Sequence, residues 1–187
     1  MSGVAPGAGA AGPAPTSSRW PAPSLARRLA AFLYEGVLLF GVLMVAGGLY
    51  SVTTGMRHAL QGQAGLQAFL FAVLGLYFVW FWTHGGQTVA MKAWHVRLVD
   101  AHGRAVGRGR ALVRYLLAWL WFVPALAAAH LAGLQGGGSV YGLLAVGVLV
   151  YAALSLLHPE RQFWHDVACG TRLVDARQHP VPRPAPR

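Results

Sequence analysis

At 187 residues and 19.9 kDa the chain has the length of one ordinary domain, yet 56% of it is hydrophobic, 11% is charged and its mean hydropathy is +0.48. Soluble domains carry about a quarter charged residues, so lipid is the expected solvent for most of this sequence. The net charge of +10 and pI near 11.1 would suggest nucleic acid, but the basic residues fall between apolar runs and at the ends, a pattern of membrane topology that leaves no nucleic-acid partner expected.

Residues 1–24 are mostly Gly, Ala, Pro and Ser and carry no apolar periodicity. Such a segment cannot bury enough surface to order itself and reads as a disordered cytosolic tail. It lacks the basic start and apolar stretch of a cleavable signal peptide. Ser24 is placed to cap a helix beginning near Leu25. Arg27 and Arg28 then open a first span expected over 29–50, a length suited to a hydrocarbon core of about 30 Å. Glu35 lies within it, the only acidic residue among the first 99. It follows Arg28 by seven residues, which puts both on one helix face about 10 Å apart. An intramembrane carboxylate is costly to keep and marks a candidate functional site.

A polar loop, 51–63, precedes a second span over 65–82, which ends in Trp80-Phe81-Trp82, an interfacial aromatic belt. Beyond it Thr83 to Thr88 is polar and glycine-rich. A short amphipathic helix is expected at Thr88–Ala93, then a small cytosolic β-hairpin in the segment Trp94 to Gly103 between helices two and three. The third span is expected over 113–134, kinked at Pro124. The fourth follows a tight glycine turn, over 140–157. A strand-like piece at Thr171–Asp175 leads to a disordered basic tail, 176–187, so the main domain is 25–175. Arg97-Leu98-Val99-Asp100-Ala101 recurs as Arg172-Leu173-Val174-Asp175-Ala176. Each copy follows a pair of spans, and Arg28 and Arg114 each open the first span of a pair. The echo reads either as chance or as two parallel halves, and in the second case the copies are expected to pair as strands.

Fourteen of the fifteen Lys and Arg residues fall on one side of these spans, and only Arg57 falls on the other. The positive-inside rule then places both termini and the central loop in the cytosol.

With these residues laid out, the sequence resembles the RDD family of bacterial membrane proteins, named for an arginine and two aspartates. The likeness rests on Arg28-Leu29-Ala30-Ala31-Phe32-Leu33-Tyr34-Glu35, on Trp82-Thr83-His84-Gly85-Gly86-Gln87-Thr88 through Val99-Asp100, and on Arg161-Gln162-Phe163-Trp164-His165-Asp166 with Gly170-Thr171-Arg172. It covers about Ser24 to Asp175. Carried over, the arginine is Arg28, with Arg27 beside it, and the second aspartate is Asp166. The first aspartate falls on Glu35, which keeps the charge on an arm one methylene longer. The resemblance implies an integral inner-membrane protein, and some family members are linked to cation/proton exchange.

Two readings of Glu35 stand open: a protonatable ion site, or a structural carboxylate holding helices together. Spans two and four offer almost no polar side chains, so no partner for it is evident there. Arg28 and Asp166 are expected near the cytosolic interface, where they could form a structural salt bridge. The histidines show no HExxH or similar spacing, and the single Cys169 cannot build a CxxC site. No metal, no cofactor and no enzyme activity are therefore expected.

The fold expected is an all-α polytopic membrane protein of four transmembrane helices in the bacterial plasma (inner) membrane. One functional class is small-ion or proton-coupled transport with Glu35 as the protonatable site, in a homo-oligomer because four spans are few for a pathway. The alternative is a non-transporting scaffold or accessory protein whose basic cytosolic face binds a partner or anionic lipid headgroups.

Overall fold

The structure, a computed structural model, describes residues 21–55, 62–134 and 136–178. Most of the two expected tails, 1–20 and 179–187, lies outside the described residues, as does 56–61 of the first loop with Arg57 and His58.

Helix α1 spans Leu25–Thr54, and the Ser24 hydroxyl accepts from the Arg27 amide at its start. It runs farther at both ends than the apolar stretch, and so carries Arg27 and Arg28 within its first turn. Helix α2 is Gln63–Thr83. The third span is α4 (Arg108–Ala118), a 3-10 turn (Trp119–Trp121) and α5 (Val123–Leu131). The break falls just before Pro124, whose ring lacks an N–H and crowds the carbonyl four residues back. The fourth is α6 (Gly137–Leu154) with a closing 3-10 turn (Ser155–Leu157).

All four are long and apolar enough to cross a membrane. Their outer faces are lipid-like: Val37, Val45 and Val52 on α1 are 70%, 75% and 82% exposed. Water would not tolerate such a stripe over this length. The chain is a multi-pass membrane protein. Its helices approach closely where side chains are small. A Cβ added at Gly147 on α6 would lie 2.7 Å from the Ala125 Cβ on α5, the small-on-small crossing that membrane helices favour.

Between the spans, Thr88 caps the short helix α3 (Val89–Ala93), and its hydroxyl accepts from the Met91 amide. Strand β1 (Val96–Asp100) follows. After the fourth span come helix α7 (Trp164–Ala168) and strand β2 (Thr171–Asp175). The β-element sits between helices two and three as the sequence suggests, and its second strand is β2, not a local return from the 101–103 turn. That turn closes on Asp100 instead, whose carboxylate accepts from the amides of His102 and Arg104, each at 2.8 Å.

The two strands pair antiparallel, Val96 opposite Asp175 and Leu98 opposite Leu173. Matching residues of the two Arg-Leu-Val-Asp-Ala copies thus face each other about their leucines. The agreement extends beyond the strands. The Ala101 amide donates to the Gly170 carbonyl, and the equivalent Ala176 amide donates to the equivalent His95 carbonyl. His95 and Gly170 both sit at positive φ, 53° and 61°. The echo is therefore a structural repeat, each half built as span, span, short helix, strand. This sheet clamps the halves together at one end of the bundle, called the sheet end below.

Both outer edges of the sheet are covered, as exposed edges invite misassociation. The Gln162 side chain donates to the Leu173 carbonyl at 3.0 Å and accepts from its amide at 2.9 Å. On the other edge the Leu98 amide donates to the Gly86 carbonyl at 2.7 Å. Gly86 has φ +69°, and a Cβ there would stand 2.3 Å from the Leu98 carbonyl oxygen. Gly86→Ala combines a left-handed backbone with a clash against a strand and should destabilise by about 1–3 kcal/mol. Thermal unfolding in detergent reads this directly, and an unchanged midpoint would mean that the Gly86 loop does not brace β1.

Candidate functional site

The buried charges gather at the sheet end. Glu35, 7% exposed, projects from α1. Its Oε1 accepts from the Tyr77 hydroxyl of α2 at 2.6 Å, and its Oε2 accepts from the Thr88 hydroxyl, itself fully buried. Both carboxylate oxygens are thus engaged. Tyr77 and Thr88 were not evident partners because a tyrosine in an apolar helix reads as packing and a threonine before a helix reads as a cap. Thr88 does both jobs, since its oxygen also caps α3.

Asp166, on α7, is fully buried. Its Oδ1 accepts from the Arg114 Nε at 2.7 Å and from the Thr171 hydroxyl at 3.4 Å, while Oδ2 has no hydrogen-bond partner. The Arg114 guanidinium lies over the Trp82 ring, 4.2 Å from its centroid, a placement in which desolvation strengthens cation–π attraction.

His165 is 3% exposed beside this pair. Its amide donates to the Tyr151 oxygen at 3.2 Å, and that hydroxyl lies 3.0 Å from the His165 Nδ1. The Tyr151 hydroxyl thus meets both the amide and the ring nitrogen of His165. Nε2 lies 3.4 Å from the Asp166 Oδ1. Burial pushes the His165 pKa down to about 4; the Asp166 charge opposes this and the Arg114 charge reinforces it. The imidazole is neutral at pH 7.

Arg28 is 4% exposed, and its guanidinium sits over the Phe163 ring, 4.5 Å from the centroid. Its Nε and Nη1 are buried and have no hydrogen-bond partner among the described residues. Among the described residues no carboxylate comes within 4 Å of it; the bridge to Asp166 is made by Arg114 instead. Arg114 enters from the start of the third span, the position matching Arg28 in the other half. The same echo that suggests two halves was the signal for it. Arg27, next to Arg28, has a separate task. It pairs with Asp175 of β2 at 2.5 Å and donates to the Trp94 carbonyl at 2.8 Å, which ties α1 to both strands' ends. The Arg27 hydrogen bond holds the Asp175 carboxyl below its usual range.

A cavity of about 390 Å³ opens from this polar cluster into the bundle. Arg28, Glu35, Trp82, Arg114 and His165 line its sheet end, and Leu39, Leu43 and Phe122 line the part farther along the spans. No group of three or more His, Cys, Asp or Glu side chains among the described residues could hold a metal ion.

The RDD family model matches residues 22–170. The chain belongs to the RDD family. No curated protein and no solved structure matches it. The match takes in both halves of the repeat up to the start of β2, so the residues that build this RDD cluster all lie within it except those of β2. Of the three residues the sequence singled out, Glu35 binds Tyr77 and Thr88, Asp166 binds Arg114, and Arg28 lines the cavity.

Proposed function

We propose that this RDD-family protein is a non-transporting component of the bacterial plasma membrane, with both termini and the sheet end in the cytosol, whose basic sheet-end face engages anionic lipid headgroups. One observation carries the reading. Lys92, Arg108 and Arg161 are exposed at the sheet end and form no ion pair within 4 Å among the described residues, beside exposed Trp94 and Trp164. The five acidic side chains are already bonded: Glu35 as above, Asp100 to Arg104, Glu160 to Arg172, Asp166 to Arg114 and Asp175 to Arg27. The face therefore carries uncompensated positive charge at the level of an aromatic belt, which suits the negative surface of a cytoplasmic leaflet. The arginine and lysine distribution of the sequence supports the orientation.

A transport reading has Glu35 in its favour, buried and lining a cavity. Against it, both Glu35 oxygens are committed to neighbouring elements, and the cavity continues past it along apolar side chains. A cation or proton path needs polar groups along its length.

The test is the lipid that accompanies the protein. In nanodiscs of mixed phosphatidylcholine and phosphatidylglycerol, the wild type should retain phosphatidylglycerol in excess of the bulk. The triple variant Lys92→Gln/Arg108→Gln/Arg161→Gln should lose most of that excess, at about 1 kcal/mol per basic residue near the surface. A wild type with no excess, or a triple variant indistinguishable from it, would remove the headgroup reading.

A further inference from the structure

We infer that the intramembrane cavity is a binding site for a single-chain anionic amphiphile, with Arg28 as the residue that holds its anionic head. The inference goes beyond the basic surface, because it concerns a different place in the molecule. The cavity's roughly 390 Å³ lies within the ~300–1,000 Å³ typical of ligand pockets. Among the described residues its polar end has unpartnered hydrogen-bond donors, while the one unpartnered carboxylate oxygen nearby, Asp166 Oδ2, belongs to a side chain that does not line the cavity. Arg28 Nε and Nη1 and Trp82 Nε1 are buried without partners, and all three belong to side chains that line the cavity. An arginine that is 4% exposed with two unpartnered nitrogens is costly. A carboxylate or phosphate oxygen placed there would relieve that cost with charge-assisted hydrogen bonds, the interaction that the guanidinium fork suits best.

The nearby acidic groups do not compete. Asp166 is held by Arg114 through Oδ1, and its free Oδ2 lies beyond 4 Å from Arg28 and off the cavity lining; Glu35 turns both oxygens toward Tyr77 and Thr88. Away from this end the lining is apolar. Arg28 and Leu43 both line the cavity, and the fifteen helical steps from one to the other span about 22 Å by the helical rise. That exceeds the ~15 Å of hydrocarbon in one leaflet, half of a core of about 30 Å. Phe32, Leu39 and Phe122 on this path are only half-buried, so the cavity opens sideways toward lipid along its length. A charged head at Arg28 with one alkyl chain laid along α1 fits this shape; an inorganic anion would leave the apolar part unfilled.

The experiment uses the full-length protein in nanodiscs of phosphatidylcholine alone, so that the surface headgroup reading contributes nothing. Radiolabelled palmitate is titrated, with unlabelled palmitate, lysophosphatidate, hexadecanol and inorganic phosphate as competitors. Saturable palmitate binding is expected, displaced by palmitate or lysophosphatidate, and at least about tenfold less well by hexadecanol, which lacks the charge. Whichever of palmitate and lysophosphatidate competes better identifies the head as carboxylate or phosphate. Arg28→Gln should weaken binding about tenfold or more; Ala118 of α4 also lines the cavity, and Ala118→Phe, which fills it and keeps Arg28, should block binding. The triple surface variant should bind palmitate as the wild type does, so a failed headgroup test leaves this one standing. No saturable binding of either anion in the wild type overturns the inference. So does equal competition by hexadecanol, or by phosphate alone, and these two comparisons need no variant to fold.

Discussion

Asp166→Asn is expected to be the most damaging single substitution in the chain, at about 3–5 kcal/mol. The carboxylate is fully buried and neutralises Arg114, whose side chain is itself 8% exposed. Asparagine keeps the volume and removes the charge, so Arg114 is left as an uncompensated cation among aromatic rings. Desolvation, not the loss of one hydrogen bond, sets the size of the effect. The same logic makes the cost recoverable. In Arg114→Met/Asp166→Leu no charge of the pair remains to be desolvated, and this double variant should lose less stability than either Arg114→Met or Asp166→Leu alone. Unfolding of all four proteins in one detergent checks it. Additive losses would show that the two residues act independently.

Acidification through the range below neutrality should destabilise the protein through one residue. The His165 pKa falls from an ordinary 6.5 in the unfolded chain to about 4 in the fold. Between these values the unfolded state binds more protons than the native one, so stability rises with pH. The neutral imidazole's contribution is complete above about pH 6.5 and is lost progressively as pH falls toward 4. A displacement of that size corresponds to roughly 3 kcal/mol. The two surface-side carboxylates lose theirs in a different window. Burial pushes Asp100 up, but the amides of Arg104 and His102 and the Arg104 side chain outweigh it; Asp175 is lowered by Arg27. Both are depressed, so their contribution disappears only below about pH 4. His165→Gln should accordingly flatten the stability profile between pH 7 and 4.5 and leave the steeper loss at lower pH. A variant with the wild-type slope across that range would assign the slope to another group.

How far the sequence could be read depended on the range of each interaction. The four spans are legible because each is a continuous apolar run of membrane length, a property of neighbouring residues. Ser24 as a cap, the break at Pro124 and the short helix after Thr88 are local in the same sense. The sheet is long-range, with β1 and β2 75 positions apart in matching residues, yet it could be anticipated because the same five residues occur twice. The cluster chemistry had less aid: the echo points to Arg114 only through its place at the start of the third span. Glu35 finds Tyr77 and Thr88 at separations of 42 and 53 residues, and Asp166 finds Arg114 at 52. Nothing in the local pattern of any of these distinguishes it from an ordinary cap, aromatic or interfacial arginine. The expected Arg28–Asp166 bridge failed for that reason: both charges lie at the right level, but Arg114 reaches the carboxylate and Arg28 stacks on Phe163. What made Arg28 informative was that two of its nitrogens have no hydrogen-bond partner among the described residues, which no sequence pattern records.

In the function proposed, Glu35 serves the architecture of a lipid-engaging protein and does not carry ions. Proton flux in sealed phosphatidylcholine/phosphatidylglycerol vesicles containing the full chain, driven in turn by sodium, potassium and lithium gradients and followed with an internal pH dye, tests it most directly. Flux no greater than in protein-free vesicles is expected for every cation. Flux in the wild type that disappears in a folded Glu35→Gln variant would contradict it and make Glu35 a transport site.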